Sequence, residues 1–189
     1  MASFTPMKPA DVDISKIEIA PKKKLDNGAD IMYLNYDSKP IYITTPELDV
    51  PFDSQWWPDN TETGGKWAVK ANLTGGSASA AMIEMLKTMD ERIKGEALKN
   101  CVSWFKKRNM SAETIDTLYT PMVKESLDAE TGEPNGRYPP GFSFKIVKRD
   151  NKISCPMYNS EKVYYDVNGE TDNPTTVERV LVKGAKVKV

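Results

Sequence analysis

The sequence predicts an α+β fold in which a helical insertion separates two antiparallel β segments. Three observations carry this. Residues 31–52, IMYLNYDSKPIYITTPELDVPF, read as two strands and a turn. Residues 66–73, KWAVKANL, alternate, with Trp67, Val69, Ala71 and Leu73 on one face. From 78 to about 107 the apolar period changes to three- and four-residue steps.

The bulk composition narrows the function classes. A length of 189 residues suits an arm at 1–13 followed by a single domain at 14–189, with the helical insertion at 77–120. Hydrophobic residues make up 39% and charged residues 28%, which is the composition of a soluble globular chain. The net charge of -1 makes no global case for nucleic acid, so any basic surface must be local. There is no His, which removes imidazole as a general base and as a metal ligand. Cys101 and Cys155 match no metal spacing. A disulfide between them stays open, and a reduced intracellular setting is the simpler reading. No signal-peptide core and no apolar run of membrane length occur, so no membrane partner is expected.

Each element follows from local chemistry. Residues 1–13 are aperiodic and read as a flexible arm. Ile14, Ile17 and Ile19 suggest a short strand, and Asp26-Asn27-Gly28 a turn. Asp37-Ser38-Lys39-Pro40 is turn chemistry, and 41–45 is a β-branched and aromatic run. Pro46 and Pro51 bracket 47–50, which makes that segment an edge strand or an extended arm. Residues 54–60 form a loop carrying Trp56 and Trp57.

Gly75-Gly76-Ser77 breaks the strand pattern and starts the helix, whose stripe includes Ala78, Met82, Met85, Met89, Ala97 and Cys101. Gly95 is a point of kinking or division. Ser111 caps a second helix over 112–119. Short strands are expected at 122–127, 142–148, 152–158, 162–167 and 176–182, with a Gly- and Pro-rich loop at 128–141. The alternation still runs at Val189, so the last strands of a barrel are expected beyond this chain.

Five runs resemble a family of proteins from large double-stranded DNA viruses of algae and protists. They are YLNYDSKPIYITTPELDVPF (33–52), KNCVSWF (99–105), Asp-x-x-Thr-Gly-Glu-Pro (128–134), RYPPGFSFKI (137–146) and VLVKGAKVKV (180–189). That family resembles in turn the single-stranded-DNA-binding proteins of T-seven-like phages, which are OB-fold barrels with a helix between strands. The resemblance implies an OB-like antiparallel β-barrel with a helical insertion. It implies a non-enzymatic protein that coats single-stranded DNA during replication and recombination, in the nucleus or viral factory of an infected cell. Viral replication proteins are further implied partners, and self-association is left open. The family pattern continues into a Trp- and Gly-containing hairpin, and the phage proteins carry an acidic, aromatic-ended tail. Neither is present here, so barrel closure and tail-mediated recruitment are not carried over.

Such a binder needs exposed aromatic planes and a basic groove. The aromatic candidates are Tyr33, Tyr36, Tyr42, Trp56, Trp57 and Trp67. Trp67 belongs to an apolar face and is assigned to the core. Tyr33 and Tyr42 stand open between core and surface. Trp56 and Trp57 are adjacent and cannot both point inward. The expected stacking residues are therefore Tyr33, Tyr42 and Trp56 or Trp57. The expected phosphate contacts are Lys22, Lys23, Lys24, Lys145 and Lys148, although any one cluster taken alone reads first as a solvated face. Lys106-Lys107-Arg108 is accounted for by its place at a helix C-terminus.

The acidic groups Asp49/Asp53/Asp59/Glu62 and Asp128/Glu130/Glu133 match no cation loop and read as polar loops. No P-loop, dinucleotide fingerprint or nucleophile elbow occurs, so no catalytic set, cofactor or metal is expected. The alternative function is a viral structural or scaffold protein that binds another protein through its hairpin edge or its Met-bearing helix. An enzyme ranks third.

Overall fold

A computed structural model describes residues 5–25 and 28–189. The chain is mixed α+β with antiparallel sheets, and it forms two compact units. The first takes the chain up to Pro46, Gly75–Val123 and Val189; the second takes Glu47–Thr74 and Lys124–Lys188.

In the first unit the strands are β1 (Ile17–Ile19), β2 (Lys23–Lys24), β3 (Asp30–Ile31), β4 (Leu34–Tyr36) and β5 (Lys39–Pro40). β1, β4 and β5 form one sheet, and β2 pairs with β3. Asp37 and Ser38 both take positive φ, 47° and 62°, the backbone of a tight hairpin turn. The run at 41–45 does not become a ladder strand. Pro40 and Pro46 remove backbone donors on either side of it. Instead Ile43 meets Met7 in a single parallel bridge, where the Met7 N–H donates to the Tyr42 carbonyl. That bridge and a 3-10 turn at Pro9–Asp11 lie within the segment read as an arm, of which residues 1–4 are outside the described residues. Asp26 and Asn27 of the expected turn also lie outside them.

Helix α1 (Gly76–Lys99) buries Met82, Met85, Leu86, Met89 and Ala97 of the predicted stripe, whereas Ala78 is exposed and Ser79 is buried at that end. It runs unbroken through Gly95. The break falls at Asn100, before α2 (Cys101–Phe105). Ser111 caps α3 (Ala112–Leu118), its hydroxyl accepting from the Thr114 N–H. Asp90 is buried in α1 and compensated there. It accepts the Tyr119 hydroxyl at 2.6 Å and the Met122 N–H at 3.1 Å. Burial and that bond hold the Tyr119 phenol above its ordinary range.

The second unit contains β6 (Leu48–Asp49), β7 (Gln55–Pro58), β8 (Gly65–Asn72), β9 (Gly141–Arg149), β10 (Lys152–Ile153), β11 (Met157–Tyr158), β12 (Tyr164–Tyr165), α4 (Val177–Val180) and β13 (Lys186–Val187). Its main sheet has the order β10-β9-β8-β6-β13, and β7 also pairs with β8. The described strands do not close into a barrel. β9 follows β8 from Gly65 to Asn72; β7 covers the start of β8 and β6 its end.

The structure corrects four expectations in this unit. The Pro-bracketed segment is not an edge, because Leu48 and Asp49 sit between the prolines and pair with β8 and β13. The Trp-bearing loop is largely strand β7. Residues 176–182 contain the helix α4 rather than a strand, because the Thr176 hydroxyl accepts the Arg179 N–H as an N-cap. The segment 122–127 forms only isolated bridges, Lys124 with Gly141 and Leu127 with Pro134.

The core of the second unit gathers Val50, Trp67, Val69, Ile146, Ile153, Met157, Val177 and Leu181. The Trp67 indole N–H donates to the Glu178 carboxylate at 2.5 Å, which supplies the partner a buried indole needs. No helix among the described residues is long and apolar enough to cross a membrane.

Candidate functional site

The alternation of β8 and β9 divides their sheet into a packed face and an open face. Cross-strand partners share a face. Trp67 lies opposite Ile146 and Val69 opposite Phe144, and these side chains enter the core. Lys66 lies opposite Val147, Ala68 opposite Lys145 and Lys70 opposite Ser143. On β7, Trp57 stands opposite Lys66 and Gln55 opposite Ala68. The open face therefore presents Trp57, Lys66, Lys70 and Lys145 together, with Arg149 continuing the β9 row.

Two aromatic surfaces belong to this face. Trp57 is 54% exposed and Phe52 is 61% exposed. The Lys70 ammonium lies 5.8 Å from the centroid of the Phe52 ring, a cation–π contact that anchors the ring beside the sheet. A depression of about 260 Å³ opens there, lined by Phe52, Asp53, Gln55, Ala68, Lys70 and Ser143. Among the described residues, no ion pair engages Lys66, Lys70, Lys145 or Arg149. Arg149 is near Asp59, whose carboxyl is held low mainly by the Thr61 hydroxyl and backbone N–H, with Arg149 adding to the effect. The face is a cationic patch in a chain of net charge -1.

The residues expected from the sequence divide between the two units. Trp57 and Lys145 meet on the open face. Trp56 does not. It stands opposite Trp67 on the packed side, with ring centroids 4.3 Å apart and planes inclined by 51°. Its indole lies over Gly65, where a Cβ would overlap the ring. Trp56 keeps 39% exposure but is committed to Trp67. Lys148 is also on the packed side, opposite Gly65 and Ile153. It is half-buried and acts on Glu178. Burial opposes ionisation of Glu178, but the Trp67 N–H and Lys148 are among the groups that hold its carboxyl below the ordinary range.

Lys22, Lys23, Lys24, Tyr33 and Tyr42 form a separate group on the first unit. Lys22 pairs with Asp30 at 3.0 Å, which already occupies its charge. Lys23 and Lys24 are exposed on β2. Tyr33 and Tyr42 are both exposed. Lys22 also lines an open cleft of about 580 Å³ with Arg92, Asn100 and Trp104.

Phe52, Lys66 and Lys70 are the functional candidates that sequence reasoning missed. Lys66 and Lys70 were legible as the polar side of KWAVKANL, the face opposite Trp67. Phe52 carried no such signal, because it follows Pro51 outside any periodic run.

No group of His, Cys, Asp or Glu among the described residues is arranged to hold a metal ion. Met82, Met85 and Met89 are buried. Comparison with protein-family models, curated proteins and solved structures finds no match to this chain.

Proposed function

We propose that this chain is a non-enzymatic single-stranded-DNA-binding protein whose ligand lies across the open face of β7, β8 and β9. The observation that supports it is the convergence of exposed Trp57 and Phe52 with the unpaired Lys66, Lys70 and Lys145 on one sheet surface. Bases stack on the aromatic rings at roughly 1–3 kcal/mol each, without regard to sequence. Phosphates meet the lysines and release counterions, so binding weakens as salt rises. The open face of an antiparallel sheet exposes both kinds of group to an extended strand and suits single strands better than a duplex.

The second unit is proposed as an OB-like domain in an open form. The chain's strand–helix–strand order, with α1 to α3 of the first unit between β8 and β9 in sequence, agrees with the viral and phage resemblance. A role in coating DNA during viral replication, viral replication proteins as partners and an infected-cell setting rest on that resemblance. The first-unit residues Lys23, Lys24, Tyr33 and Tyr42 are a second exposed group.

The alternative of a structural or scaffold protein draws less support. Its Met-bearing helix face is buried, and β5, the outer strand of the hairpin sheet, has two residues ending in Pro40. The testing experiment is fluorescence anisotropy of a labelled oligo-dT of about 30 nucleotides, set beside a duplex of equal length. Tighter binding to the single strand, weakening with salt, is expected. No binding to either at low salt would reject the reading.

A further inference from the structure

We propose that the depression beside Phe52 holds one nucleobase and prefers guanine, an inference that rests on the single-stranded-DNA reading above. Its volume of about 260 Å³ leaves room for a base next to the Phe52 ring. The groups around it differ from the rest of the open face. The Gln55 amide and the Ser143 hydroxyl have no hydrogen-bond partner among the described residues, so both are available to a ligand. The Asp53 carboxylate accepts the Lys183 N–H through Oδ1 at 2.8 Å, which fixes the side chain and leaves Oδ2 and the second lone pair of Oδ1 open. Among the described residues the Lys70 ammonium has no carboxylate partner, and it lies against the Phe52 ring. One carboxylate, one ammonium and two neutral polar groups thus surround a single aromatic wall.

Base edges differ in how they meet this set. Guanine offers two adjacent donors, N1–H and the N2 amino group, which a carboxylate accepts together. It also offers the O6 and N7 acceptors, to which an ammonium donates. Thymine places a carbonyl on each side of its one N–H, so a carboxylate there meets a like-signed oxygen. Adenine and cytosine each set a ring-nitrogen acceptor beside the amino group, with the same conflict. Asp53 and Lys70 therefore select, and Phe52, Trp57, Lys66 and Lys145 do not.

The test uses the full chain and four oligonucleotides of about nine residues, all thymine except for a central dT, dG, dA or dC. The dG oligonucleotide is expected to bind roughly 10-fold tighter than the all-thymine one, the scale of a good two-bond base contact. Asp53→Asn keeps an oxygen for the Lys183 N–H and brings the dG-to-dT ratio close to one. Lys70→Met lowers the same ratio independently. Equal binding of all four oligonucleotides to the wild type overturns the guanine subsite while leaving the single-strand reading intact. A dG preference unchanged in both variants also overturns it. Failure of every oligonucleotide to bind rejects both.

Discussion

Lys145 and Lys148 stand on the same strand, β9, and face opposite sides of its sheet. Lys145 pairs with Ala68 on the open face, and Lys148 pairs with Gly65 on the face that carries Trp67 and Ile146. The two lysines look equivalent as a basic cluster in the sequence. Strand alternation separates them, leaving Lys145 exposed on the open face and Lys148 in the neighbourhood of Glu178.

Lys145→Ala is expected to reduce the slope of log affinity against log salt by about 0.7, the value of one phosphate contact on a single strand. Lys148→Ala is expected to leave that slope unchanged. Oligo-dT titrations across a salt series measure both. Equal effects of the two substitutions would place the ligand elsewhere.

Phe52→Ala and Trp57→Ala are each expected to weaken oligo-dT binding by roughly 5- to 100-fold, the equivalent of one lost base stack. Neither ring is buried, so the unfolding midpoint should hardly move. Trp56→Ala is expected to show the converse. It removes the ring packed on Trp67 and costs about 1–3 kcal/mol of stability. Urea unfolding and DNA titration of the three variants separate the two roles.

Much of this was legible in the sequence, and the losses have physical causes. The alternation of KWAVKANL put Trp67 in the core and Lys66 and Lys70 outside, as the structure has it. The stripe from Met82 to Ala97 marked the buried side of α1. Trp56 and Trp57 were expected not to point inward together, and both rings are exposed, but adjacency alone could not say which one packs on Trp67. Register against β8 decides it, and register is a tertiary property. The β-branched run TVERVLV suggested a strand, and the cap on Thr176 overrode that propensity. Phe52 escaped notice because its exposure depends on how β7 leaves the β6 segment, which no local pattern encodes.

Glu178→Ala is expected to destabilise the fold by about 1–3 kcal/mol, because the Trp67 indole N–H beside the core loses its acceptor. Glu178→Gln keeps an acceptor oxygen and should cost less. Urea unfolding, followed by Trp fluorescence, distinguishes them. Similar losses in both variants would assign the effect to charge rather than to the hydrogen bond.

Asp166 gives the pH dependence a sign. Its carboxylate accepts backbone N–H groups from Glu170, Thr171 and Asn168, and these hold its pKa below the ordinary 3.8. A depressed carboxyl contributes its full stability above about pH 4 and loses it as pH falls through the lowered folded-state value. Asp166→Asn should therefore be less stable than wild type near neutral pH, and the gap should narrow in strong acid. Urea midpoints at about pH 7 and about pH 2 measure this; a gap that stays constant would show that the carboxylate charge is not involved.

The central claim is that the open face of β7, β8 and β9 binds single-stranded DNA. Its most direct test is a titration of wild type and of Phe52→Ala/Lys145→Ala with oligo-dT of about 30 nucleotides, read by intrinsic Trp fluorescence at low and high salt, so that Trp57 reports in both proteins. The wild type is expected to be quenched, with affinity that falls steeply as salt rises. The double variant is expected to lose most of that response while unfolding normally. An unquenched wild type at low salt, or a double variant that binds like wild type, would contradict the claim.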